Sequence, residues 1–101
     1  MSWTYTLSQL AQAVGAEIPT PFAGLKATSV STDTRTLQPG AVFFALPGER
    51  FDGHAFVAQA FVKGATAAVT SRPCPEGPCL LVSDPLAALQ AFSAWHRTRH
   101  T

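Results

Sequence analysis

The sequence predicts an α/β domain, a small mixed sheet flanked by helices. Short apolar runs bounded by turn residues, "AVFFAL", "ATAAVTS" and "CLLVS", read as buried strands. Segments whose apolar residues recur at spacings of three and four stand between and around them, as amphipathic helices do. The resulting order is helix, strand, strand, helix, strand, strand, helix. Its strand–helix–strand stretch over residues 41–70 is a candidate right-handed parallel crossover.

The first helix is predicted over 7–14. Thr6 and Gln9 supply a capping box, Leu7, Leu10, Ala11 and Val14 follow at helical spacing, and Gly15 is the natural stop. "AEIPTPFAG", with two prolines and a glycine, is a loop. "LKATSVS" alternates Leu25, Ala27 and Ser29 against Lys26, Thr28 and Val30, which predicts a strand over 25–31. "TDTRTLQPG" is turn chemistry closed by Pro39-Gly40. The run at 41–46 is short and aromatic, which favours a central strand, and Pro47-Gly48 ends it. Phe56, Val57, Ala60 and Phe61 mark one face of a helix that stops at Gly64. Strands at 66–70 and 79–83 flank the loop "RPCPEGP". Ser83 or Asp84 then caps a last helix that has Pro85 at its first position and runs through Leu86, Leu89, Phe92 and His96.

Length and composition bound the rest. One domain spanning 1–101 is expected from 101 residues. With 47% hydrophobic and 13% charged residues the chain fills a core, yet has few charges to cover its surface, so part of that surface suits a neighbouring domain. A net charge of +1 with no basic stripe argues against nucleic acid as a partner. The local excess "RTRH" at 97–100 reads as a helix end complementing the macrodipole. No apolar span reaches the roughly 20 residues of a membrane helix, and the N-terminus lacks a basic region followed by an apolar core. The expectation is a cytoplasmic protein without a membrane span. Cys74 and Cys79 in "CPEGPC" admit a small disulfide loop or half a metal site, but in a cytosolic protein they read as two reduced thiols flanking a turn, and no second pair or nearby histidine completes a zinc set.

Catalytic devices are sparse. No Gly-x-Ser-x-Gly elbow occurs, and His96 and His100 fall near the end of the last helix, so a catalytic triad is unsupported. Neither a Walker P-loop nor a Gly-x-Gly-x-x-Gly run is present. Ligands of open α/β sheets gather beyond the carboxyl ends of strands, which points to the polar loops at 31–37 and 47–54. Asp52 and His54 are metal-ligand types, but two ligands at i and i+2 do not make a site. Asp52 and Gly53 read better as a turn that launches the next helix from His54. For "STDTR" two readings stay level. In one, Ser31, Thr32 and Asp33 satisfy backbone amides and Arg35 pairs with a nearby acid. In the other, the same groups bind a polar ligand.

The string "STDTR", "TLQPGAVFFAL", "GERFDGHAF", supported by "GATAAV" and "VSDPLAAL", resembles the N-terminal domain of the muramyl ligases that build the peptidoglycan peptide. The resemblance covers about residues 5 to 97. It implies the fold type shared by the ligase that adds a diamino acid and the one that adds D-alanyl-D-alanine. The Glu-Arg-Phe run ahead of Asp-Gly is the pattern of the second. The resemblance further implies a domain that binds UDP-N-acetylmuramoyl-tripeptide, mainly through the uridine diphosphate end. By motif position, Thr34 is a hydrogen-bonding contact, and Glu49, Arg50 and Phe51 lie along the nucleotide. Asp33 and Arg35 bind the substrate or brace the two loops against each other, and Asp52 and His54 are counted among the substrate-binding residues. No catalytic residue, metal or cofactor is expected in this chain. ATP and Mg2+ belong to the parent ligase, whose central and C-terminal domains are further partners absent here. Alternatives implied alongside are the same domain of the diamino-acid-adding ligase, or a stand-alone UDP-sugar-binding or interaction module.

Overall fold

The computed structural model describes residues 4–16, 22–46, 56–72 and 77–99. Its elements are β1 (Tyr5–Thr6), α1 (Leu7–Val14), β2 (Lys26–Ala27), β3 (Ser29–Ser31), β4 (Ala41–Phe44), α2 (Val57–Val62), β5 (Ala67–Thr70), β6 (Cys79–Leu81) and α3 (Pro85–Arg99). Four strands form a parallel sheet in the order β3-β4-β5-β6, and β1 and β2 make a separate antiparallel pair. The α/β class with flanking helices holds. The mixture of strand directions is divided between two sheets rather than carried by one.

Alternation along the central strands explains the layers. Val42, Phe44, Ala67, Val69 and Leu80 face one way and pack with Tyr5, Leu7, Leu10, Ala88 and Phe92, which places α1 and α3 together on that face. Ala41, Phe43, Ala45 and Ala68 face the other way and pack with Val57 and Ala60 of α2. Both faces of β4 and β5 are therefore covered, and this is why their sequences are continuous apolar runs rather than alternating ones. On the two-helix face Tyr5 is 4% exposed, and its hydroxyl is hydrogen-bonded to His96 Nδ1 at 2.7 Å.

Local chemistry sets the helix ends. Thr6 Oγ1 accepts from the Gln9 backbone N–H at 3.1 Å, and Gln9 Oε1 accepts from the Thr6 backbone N–H at 2.9 Å. Gly15, at φ 74°, closes α1 with its N–H donating to the Ala11 carbonyl. Asp84 is the residue that caps α3: its Oδ1 accepts from the backbone N–H groups of Leu86 and Ala87 at 3.0 and 3.3 Å.

Two expectations are corrected. The predicted strand over 25–31 is two strands, because the chain changes sheets at Thr28, whose N–H donates to the Gly40 carbonyl at 3.0 Å. Lys26 and Ala27 pair with β1, whereas Ser29, Val30 and Ser31 pair with β4. The change of sheet breaks the expected alternation: Ala27 is buried, while Leu25 and Val30 are 42% and 37% exposed. The second correction concerns the thiols. Cys79 is disulfide-bonded, not reduced. The only other cysteine of the chain, Cys74, lies outside the described residues.

Candidate functional site

The carboxyl ends of β3 and β4 point to the same side of the sheet, and the loop leaving β3 folds over that end. Between this loop, β4 and the start of α2 lies a cavity of about 430 Å³ lined by Thr32, Asp33, Thr34, Arg35, Phe43, Leu46 and Phe56. Polar groups come from one continuous segment, residues 32–35. The apolar wall comes from the end of β4 and the residue that opens α2.

The loop is held by its own side chains. Ser31 Oγ accepts from the Asp33 N–H at 3.2 Å and donates to the Asp33 carbonyl at 2.8 Å. Asp33 Oδ1 accepts from the Arg35 backbone N–H at 2.9 Å, an Asx turn. The Arg35 guanidinium closes on the same carboxylate. Its Nε donates to both oxygens, at 3.1 and 3.0 Å, and Nη2 donates to Oδ2 at 2.7 Å. The Asp33 side chain is 38% exposed and that of Arg35 is 86% exposed. The Thr36 N–H donates to the Asp33 carbonyl at 3.3 Å and completes the turn.

This arrangement sets the charge state of the rim. The Arg35 side chain first, and then the Arg35 backbone N–H, hold the Asp33 carboxyl down from 3.8 to about 2. Asp33 in turn raises Arg35 above its ordinary value by accepting its hydrogen bonds. At neutral pH the pair is a carboxylate and a guanidinium whose charges cancel, with Nη1 not used in the pair. Because the folded value is depressed, the contribution of Asp33 is present above the ordinary pH of 3.8 and is lost as pH falls through about 2. Solvent screening keeps that contribution to global stability small. A carboxyl-detected NMR titration is expected to place the Asp33 midpoint near 2, and Arg35→Met is expected to return it toward the ordinary value. An unchanged midpoint in Arg35→Met would contradict the assigned cause.

Thr34 differs from its neighbours. It is 6% exposed, and its hydroxyl donates to Gln59 Oε1 on α2 at 3.3 Å. The structure therefore brings together Asp33, Thr34 and Arg35 of the predicted site residues. For Ser31, Asp33 and Arg35 the bonds are those of the structural reading, with Arg35 pairing inside its own loop. Glu49, Arg50, Phe51, Asp52 and His54 lie outside the described residues. Sequence reasoning missed Phe43, Leu46 and Phe56 as lining, because apolar residues in strand and helix patterns read as core. It also missed Gln59, which no local pattern joins to Thr34.

The fold is a parallel α/β sheet with helices on both faces and a cavity at its strand ends, the place where ligands of such sheets gather. A model described as "Mur ligase family, catalytic domain" matches residues 26–88, and the chain belongs to the Mur ligase family. It is 44% identical over 93 residues, or 91% of its length, to the UDP-N-acetylmuramoyl-tripeptide–D-alanyl-D-alanine ligase of Escherichia coli K12, of which it covers 20%. Against the UDP-N-acetylmuramoyl-L-alanyl-D-glutamate–2,6-diaminopimelate ligase of Parasynechococcus marenigrum it is 38% identical, covering 81% of this chain and 18% of that one. A crystal structure of MurF from Acinetobacter baumannii superposes with a TM-score of 0.86 at 34% identity, over 97% of this chain and 22% of that one. The chain thus spans about a fifth of the length of the curated relatives it matches.

Proposed function

We propose that the chain is the substrate-binding N-terminal domain of an ATP-dependent amide ligase. The parent reaction adds D-alanyl-D-alanine to UDP-N-acetylmuramoyl-tripeptide in peptidoglycan synthesis. The observation that carries this reading is the cavity beyond β3 and β4, whose polar wall is the Asp33-Thr34-Arg35 motif. Aromatic and aliphatic walls at Phe43, Leu46 and Phe56 suit a base or sugar face, and the loop supplies hydroxyl and guanidinium groups for its polar edge. The same reading takes Glu49, Arg50, Phe51, Asp52 and His54 as substrate-binding by motif position; all five lie outside the described residues.

We assign ATP and Mg2+ to the parent ligase rather than to the described residues of this chain. The chain has no Gly-x4-Gly-Lys-Ser/Thr cradle, and among the described residues no group of three or more His, Cys, Asp or Glu side chains converges on one point. Both belong to the central domain of the parent, and chemistry there acts on a substrate that this domain holds. Among the described residues no helix is long and apolar enough to cross a membrane.

Calorimetric titration with UDP-N-acetylmuramoyl-tripeptide is expected to give saturable binding, weakened about three- to tenfold in Thr34→Ala through loss of one hydrogen bond. A flat titration for the wild type would favour an interaction module instead. Incubation of the chain with ATP, D-alanyl-D-alanine and the UDP-linked tripeptide is expected to release no phosphate above blank. Turnover that tracks the pure chain would overturn the division of labour. The diaminopimelate-ligase relatives support a second reading, the same domain serving the enzyme that adds the diamino acid. A reading frame that continues into a Gly-Lys-Thr/Ser motif separates both ligase readings from a stand-alone module. Assay of the encoded enzyme with each amine substrate then separates the two.

A further inference from the structure

Among the described residues the buried polar side chains are Thr34, 6% exposed, and Thr70, 0% exposed. Thr70 is satisfied locally, its hydroxyl donating to the Arg72 carbonyl at 2.7 Å. Thr34 instead reaches a different element, donating to Gln59 Oε1 at 3.3 Å. An O–H···O bond is usually about 2.7–2.8 Å long, so this one adds little to folding. Its effect is on direction. A hydroxyl carries one donor and two acceptor lone pairs, and with the hydrogen committed to Gln59 it meets any other partner as an acceptor. Thr34 lines the cavity, and Gln59 is an exposed residue of α2, the helix that begins just after the lining residue Phe56.

We propose that Gln59 is a positioning residue for this cavity: it fixes the Thr34 hydroxyl as an acceptor, so the cavity selects a ligand N–H or O–H at that point. Ionised phosphate and carboxylate oxygens carry no hydrogen to give and are disfavoured there. The selection therefore falls on the base or sugar part of a nucleotide rather than on its phosphates. This inference rests on the substrate-binding reading of the cavity and deepens it.

The test is a double-mutant cycle read by titration of uridine diphosphate into the 101-residue chain. Gln59→Met keeps side-chain length and removes the amide, and Thr34→Val keeps shape and removes the hydroxyl. Each single variant is expected to bind about fivefold more weakly, and the double variant no more weakly than Thr34→Val alone. The Tm of Gln59→Met is expected to stay within about 2 °C of wild type, since the bond is long. Three results overturn the inference: wild-type affinity in Gln59→Met, an undiminished Gln59→Met penalty in the Thr34→Val background, or an affinity loss that tracks a fall in Tm. If the wild type itself gives a flat titration, the binding reading fails and the inference falls with it. That outcome is told apart by the wild-type curve alone.

Discussion

Phe44→Ala is expected to destabilise the domain by about 3–5 kcal/mol, the range for removing a fully buried phenylalanine and leaving a cavity behind. Phe44 is 1% exposed at the centre of the two-helix core, with its ring centroid 6.2 Å from that of Phe92. Small domains are stable by only about 5–15 kcal/mol, so the loss takes a large part of the total. Thermal denaturation should record a fall in Tm of more than about 10 °C. Its neighbour provides the control. Phe43 is 2% exposed on the opposite face, packs with α2 and lines the cavity. Phe43→Ala is expected to cost a comparable amount of stability and to weaken ligand binding as well. Phe44→Ala, measured below its lowered Tm, should leave binding close to wild type. Equal binding losses in the two variants would contradict the division of the core by the sheet.

That division was legible in the sequence, because a strand covered on both faces is apolar throughout and "AVFFAL" has no polar interruption. Helix α1 was legible to the residue. Its signals, Thr6 against Gln9 and Gly15 at the end, act within one turn and need no tertiary partner. The β1–β2 pair was not. Two-residue strands carry no periodicity, and the pairing of Tyr5 with Ala27 and of Thr6 with Lys26, across the α1 segment, defines them. The loop at 31–35 announced itself by composition, since hydroxyls and a carboxylate beside a strand end bond to their own backbone. The cavity's apolar wall and the Thr34–Gln59 bond were hidden for the opposite reason. Each is made by residues far apart in sequence, and each residue alone fits an ordinary core or helix-surface position.

Gly64→Ala is expected to destabilise the domain by about 1–3 kcal/mol, and to act at the end of the sheet away from the cavity. The sequence marks Gly64 only as a helix stop, but the structure gives it two further constraints. Its φ is 104°, a backbone that L side chains adopt at a cost of about 1–2 kcal/mol. A Cβ placed there would also lie 3.1 Å from Pro39 Cα, a backbone atom that yields only if the Pro39-Gly40 turn shifts. That turn cannot shift freely, because the Gly40 N–H donates to the Gly64 carbonyl at 2.8 Å and the Gly40 carbonyl accepts from the Thr28 N–H at 3.0 Å. Strain at Gly64 therefore passes to the amino ends of β3 and β4 together, and relaxing one contact stretches another. The expected result is a lower midpoint in urea with an unchanged slope, and uridine diphosphate affinity retained at low denaturant. A ligand-binding loss as large as the stability loss would mean that the two ends of β4 are coupled more tightly than their separate contacts require.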